Sequence, residues 1–292
     1  MKKQSVLVKI WDILWPLFIY LIAQNVITLI GALILQFFEN SEELMNQYAI
    51  GFLLISALLC IPIYYKMYRK DREAVREEKR NIPMDNKEYI AIILSGAALA
   101  LAMNNIISLT PLPMIFTGYE DTSEMLFGGG LLLQILSAGI FACIVEELSM
   151  RGVVYLRLKK CWGKKKAILF SAIIFGIYHM NVVQAVYAFV LGLFFAWLYD
   201  RYDTLWAPIT AHMSANLFII LLSGSSIAMK VMSNMVGFCL VTCISLLVFQ
   251  YGWRFMKETN PLVELEFIEK EPDTLKKLTE EYKEQEREDK LQ

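Results

Sequence analysis

Three short polar groups interrupt the apolar runs of this sequence: Glu146-Glu147-Leu148-Ser149-Met150-Arg151, Phe175-Gly176-Ile177-Tyr178-His179 and His212-Met213-Ser214-Ala215-Asn216. The 292-residue chain has two histidines, and each belongs to one of these groups. An ionisable side chain at bilayer depth costs at least about 2.5–3.5 kcal/mol, so it marks function by default. On a helix Glu147 and Arg151 stand at i, i+4, share a face and can pair. Glu146 is turned about 100° away, free to point elsewhere. The i, i+4 spacing recurs for Phe175 with His179 and for His212 with Asn216. Three helices thus offer one free carboxylate, two imidazoles and an amide. Around a water molecule such groups suit hydrolysis: Glu146 as general base helped by His179, with His212 and Asn216 donating to the developing oxyanion. Glu146, His179 and His212 are also ligand types for Zn²⁺, which would lower the pKa of a bound water. The residues leave both chemistries open. No H-E-x-x-H helix is present.

Such groups need helices long enough to bring them together. The chain is 57% hydrophobic, with a mean hydropathy of +0.46 and a net charge of −1. That composition excludes a disordered chain, a disulfide scaffold and a nucleic-acid binder. Trp11 to Phe38 is an apolar run with one charge, Asp12. It is longer than the roughly 20 residues of a membrane span and longer than the apolar part of a signal peptide. Further runs at about 49–65, 88–109, 131–156, 167–180, 182–199, 205–224 and 228–250 make eight spans. The stretch 167–199 is too long for one helix, and Asn181 is its predicted turn. The fold expected is all-α, a polytopic transmembrane helical bundle of about eight spans.

Basic residues fall in alternate connections. They lie before the first span (Lys2, Lys3, Lys9), between the second and third (66–87), after the fourth (Arg157, Lys159, Lys160, Lys164, Lys165, Lys166) and after the sixth (Arg201). Segments 39–48, 110–130 and 221–227 contain neither Lys nor Arg. Lys and Arg mark cytoplasmic loops, which predicts cytoplasmic N- and C-termini. Three regions are expected: 1–130, with three spans and the basic cytoplasmic loop 66–87; 131–250, carrying the polar groups and the last span; and a charged cytoplasmic tail, 251–292. In the tail Pro272-Asp273-Thr274 reads as a helix start, with Leu275, Leu278 and Tyr282 on one face. Gly128-Gly129-Gly130 reads as an outer hinge. Helix rise places Glu146, His179 and His212 near mid-membrane, in a cavity between spans four, five and seven that opens to the cytoplasm.

In order on successive apolar helices, E-E-x-x-x-R, F-x-x-x-H and H-x-x-x-N resemble the CAAX prenyl protease and bacteriocin-processing (CPBP, or Abi) family of intramembrane proteases. The resemblance covers about Gln134 to Leu221. It implies an integral membrane endopeptidase, as in bacterial cell membranes, that cleaves a membrane-associated peptide or protein near the cytoplasmic leaflet. Eukaryotic members of the family trim prenylated CaaX proteins, and bacterial members are linked to bacteriocin immunity. Carried over, the motifs make Glu146, His179, His212 and Asn216 catalytic, with Glu147, Arg151 and Phe175 supporting. Membrane lipid and a peptide substrate, prenylated or not, are the implied partners, and Zn²⁺ at Glu146, His179 and His212 is the family's debated cofactor.

Plainer readings exist for each residue. Glu147–Arg151 can be a purely structural pair, Asn216 a link between helices, and Phe175 packing. A non-catalytic scaffold for a signalling or immunity partner and a proton-relay transporter use the same features. The scaffold predicts that Glu146→Ala keeps biological activity, and the transporter predicts paired inverted repeats, which the sequence lacks.

Overall fold

The structure is a computed structural model that describes residues 5–74, 84–116 and 128–259. These residues are helical throughout, without strands. Helices α1 (Val6–Leu35) and α2 (Ser41–Ala74) form a long pair, followed by α3 (Asn86–Ser108) and the single turn α4 (Leu112–Ile115). Next come α5 (Leu131–Trp162), α6 (Lys164–Tyr178), α7 (Val182–Tyr202) and α8 (Trp206–Ser223). A short α9 (Ser226–Met232) leads into α10 (Met235–Glu258). Seven of these helices are long and apolar enough to cross a membrane, whereas α6 has 15 residues. The break after it falls where the sequence predicts: Asn181 caps α7, its side-chain oxygen accepting from Val183 N at 3.0 Å and Gln184 N at 3.1 Å. The last span begins later than expected, at Met235, because Asn234 caps it in the same way. It runs past residue 250 to Glu258. The expected tail helix at 272–282 and the basic residues 76–80 lie outside the described residues.

The interior helices are those that carry or touch the polar groups. α3 and α7 are mostly buried, while α1 and α10 turn much of their apolar surface outward, as helices that face lipid do. Small residues set the closest approaches. A Cβ on Gly96 would stand 2.4 Å from Ala211 O, so glycine is what lets α3 lie against α8. Gly176 likewise faces Ala185 O across the α6–α7 hairpin. Gly129 presses on Ile50 of α2, and its carbonyl accepts from the Gln134 side chain at 2.6 Å. The expected hinge is therefore a packed helix start.

Polar contacts gather the basic segments at one end of the bundle. Arg72 bonds Asp203 at 2.8 Å, Arg157 bonds Asp71 at 2.6 Å, and Asp200 receives Lys159 at 3.6 Å and also Lys164. Arg201 donates to Lys257 O at 3.1 Å, and Tyr202 to Glu88 at 3.2 Å. The start of α1, α3, α6 and α8 and the end of α2, α5, α7 and α10 thus share one level. Among the described residues α6 is a short eighth helix between spanning ones, and the start of α1 and the end of α10 meet at one end of the bundle.

One break in α1 is chemically specific. Pro16 has no N–H, so the Asp12 carbonyl one turn back has no helical donor. Arg157 Nη1 donates to that carbonyl instead. A turn later Tyr64 of α2 inserts its hydroxyl into the ladder, donating to Pro16 O at 2.6 Å and accepting from Tyr20 N at 3.3 Å.

Candidate active site

The carboxylates sit on α5 between two wide π-type turns, 135–141 and 150–155, with a regular stretch at 142–149 between them. Such turns add a residue per loop of backbone and re-aim the side chains that follow, a device common at functional sites. Arg151 lies in the second wide turn with its side chain fully buried. Nη1 donates to Glu147 Oε1 at 3.0 Å and Nη2 to Gly192 O of α7 at 2.9 Å. The guanidinium also lies over the rings of Phe175 at 4.7 Å and Phe195 at 5.5 Å.

The same Glu147 oxygen is shared. His212 Nδ1 stands 2.9 Å from Glu147 Oε1, and since a carboxylate only accepts, Nδ1 carries the proton. Nε2 is thereby the ring atom left for chemistry, and it faces Glu146 Oε2 at 3.8 Å. The imidazole is fixed on its other sides too, stacked on Phe195 at 4.8 Å and edge-on to Phe175 at 5.8 Å. Glu146 keeps an 18% exposed side chain that makes no hydrogen bond to any described residue. The order across the site is therefore guanidinium, carboxylate, imidazole and a second, unbonded carboxylate.

His179 is half-buried at the end of α6, where Met180 turns the chain with a φ of 51°. Its Nδ1 donates to Phe175 O at 2.8 Å, which leaves Nε2 free in the neutral ring. Its ring leans on Phe175 at 4.8 Å. Phe175 thus separates and orients both imidazoles, while its own ring is buried. Asn216 is engaged elsewhere: Nδ2 donates to Ala138 O at 2.9 Å in the first wide turn and to Cys143 Sγ at 3.4 Å. It also lines a cavity of about 300 Å³ with Gln184, Tyr187, Ala215 and Ile219. That cavity runs to Ser108 and Pro113, at the end opposite the basic residues.

Among the described residues no three His, Cys, Asp or Glu side chains stand close enough together to hold a metal ion. Of the expected ligands, Glu146 and His212 stand 3.8 Å apart, and the second ring nitrogen of His212 is spent on Glu147.

Sequence reasoning did not find three contributors. Phe195 stacks on His212, Gly192 lends a carbonyl to Arg151, and Cys143 receives Asn216. Gly192 and Phe195 lie inside a uniformly apolar helix, and nothing local distinguishes them from packing residues.

Residues 128–218 match the family "Type II CAAX prenyl endopeptidase Rce1-like". Over 90 residues the chain is 32% identical to a Bacillus subtilis (strain 168) protein named "Putative membrane peptidase YdiL". That match covers 31% of this chain and 37% of the relative, so it spans about a third of each. No solved structure matches the chain. The three motifs, the helices that converge on them and the matched stretch coincide: residues 128–218 of this all-α bundle are similar to the CAAX prenyl endopeptidase family.

Proposed function

We propose that the protein is an intramembrane endopeptidase in which Glu146 activates the attacking water. The observation that carries the reading is the partly exposed, unbonded Glu146 carboxylate facing Nε2 of a histidine whose other nitrogen is held by Glu147. Glu146 takes a proton from water as it adds to the scissile carbonyl. His212, oriented through Glu147 and Arg151, presents Nε2 to the oxyanion that develops and donates to it when protonated. His179, with Nδ1 committed to the Phe175 carbonyl, accepts from the attacking water at Nε2, and Glu146 returns the proton it took to the leaving amine as the C–N bond breaks. Asn216 becomes a second oxyanion donor when its amide swings off Ala138 O. Each of these steps runs on the chain's own side chains. The substrate is a peptide or protein that reaches the site from the membrane, with prenylated C-terminal peptides the first class to try. The basic end faces the cytoplasm.

The test is cleavage by the purified full chain in detergent, offered prenylated CaaX peptides and hydrophobic leader peptides. Wild type, Glu146→Gln and His212→Ala run side by side, with chelator and with added Zn²⁺. The expected result is cleavage by wild type, unaffected by chelator and reduced about 100-fold or more by Glu146→Gln. Turnover retained by Glu146→Gln overturns the mechanism. Loss in chelator that Zn²⁺ restores replaces it with metal chemistry.

A further inference from the structure

Outside the site, the strongest unexplained feature is a cavity of about 490 Å³ at the basic end, between the start of α1 and the ends of α2 and α5. Its size is within the range of small-ligand sites. Lys9, Lys70, Arg157 and Lys160 line it, against Asp12 and Asp71, which leaves an excess of two positive charges. Asp71 is spent on Arg157. Among the described residues Lys9, Lys70 and Lys160 form no ion pair. Arg157 is built into the wall. Its Nε is held by Asp71 and one Nη1 proton by the Asp12 carbonyl that Pro16 releases, and it lies 5.8 Å from the Trp15 ring. Two of its five N–H donors are used, and three remain. The Arg157 side chain is four-fifths buried, yet it lines, with unspent donors, a space ringed by ammonium groups that pair with no described residue.

We propose that this cavity binds a phosphate group. A planar guanidinium held rigidly, with point-charge lysines around it, is the donor set that phosphate oxygens favour. The position selects the source. Trp15 is an aromatic of the membrane–water boundary, α1 and α2 continue from the cavity into apolar spans, and basic pockets between spans at this level hold lipid headgroups. The chemistry fits the headgroup of an anionic phospholipid, and a soluble phosphate carries the same group. This site does not depend on proteolysis.

The full chain in neutral detergent is titrated with phosphatidylglycerol or phosphatidylcholine and read by native mass spectrometry. A parallel thermal-unfolding series uses inorganic phosphate. Wild type is compared with the double variant Lys9→Gln/Lys160→Gln, with Lys70→Gln as a milder single change, and with Lys230→Gln at the opposite end as control. Phosphatidylglycerol should be retained over phosphatidylcholine. The double variant should weaken that retention about 25-fold, at about five-fold per lysine, and Lys70→Gln about five-fold. Lys230→Gln should change nothing. Inorganic phosphate that stabilises wild type, but not the double variant, would support the site with a soluble ligand as its source. Equal retention of both lipids, or equal retention by wild type and the folded variants, overturns the proposal. Unliganded melting temperatures show that the variants fold.

Discussion

Glu147 holds Arg151 and His212 through a single oxygen, while its other oxygen and Arg151 Nε, both buried, have no hydrogen-bond partner among the described residues. Removing either charge strands the other in the interior. Glu147→Ala should destabilise the bundle by about 3–5 kcal/mol, read as a loss of melting temperature in detergent. Replacing both, as Glu147→Gln/Arg151→Met, should recover much of that while leaving His212 unoriented and cleavage impaired. A Glu147→Ala protein that melts like wild type would mean the pair is not buried as described. By contrast, Glu146→Gln should melt like wild type, since Glu146 makes no hydrogen bond to any described residue, and should lose cleavage. Spacing alone makes the Glu147–Arg151 pair legible in the sequence. The His212 contact is not legible there, because i, i+4 rules describe one helix and are silent on how α5 and α8 align. Asn216 shows the same limit. Its place on the face of His212 is readable, but its bond to Ala138 depends on a wide turn that no residue pattern announces.

At the scale of elements, the helices are held by backbone approaches and by two repairs of the proline break in α1. Gly96→Val should push α3 from α8, because its side chain would occupy the space of Ala211 O. Core overpacking of this kind costs about 1–3 kcal/mol, checked by thermal unfolding. Tyr64→Phe removes the hydroxyl that serves Pro16 O and Tyr20 N at once. It leaves buried backbone groups unpaired, and a loss of about 1–3 kcal/mol is expected from the same measurement. The division between α6 and α7 is legible from an apolar stretch too long for one helix and from Asn181, whose side chain caps. The start of α10 is displaced relative to the hydropathy pattern, because apolarity continues through α9 and only the cap at Asn234 separates the two. That an arginine on α5 completes the ladder of α1 is a tertiary fact with no local trace.

For the whole molecule, alternating basic connections predict that both described ends lie on one side of the membrane, and the contacts at the basic end bring the start of α1 and the end of α10 to one end of the bundle. Single cysteines introduced at Ser5 and Glu258 should react with an impermeant maleimide from the same side of the membrane. One at Ser225 should react from the other. Labelling of Ser5 and Glu258 from opposite sides would remove one pass. The 15 residues of α6 have a consequence for the lipid itself. They rise about 22 Å, about 8 Å less than a hydrocarbon core about 30 Å thick, and end at the turn that carries His179. A bilayer that dips toward that turn, or water that follows it inward, would make up the difference, and bilayer thickness should then set how wet His179 is. The protein's turnover should differ between liposomes of short-chain and long-chain phosphatidylcholine even when every side chain is unchanged.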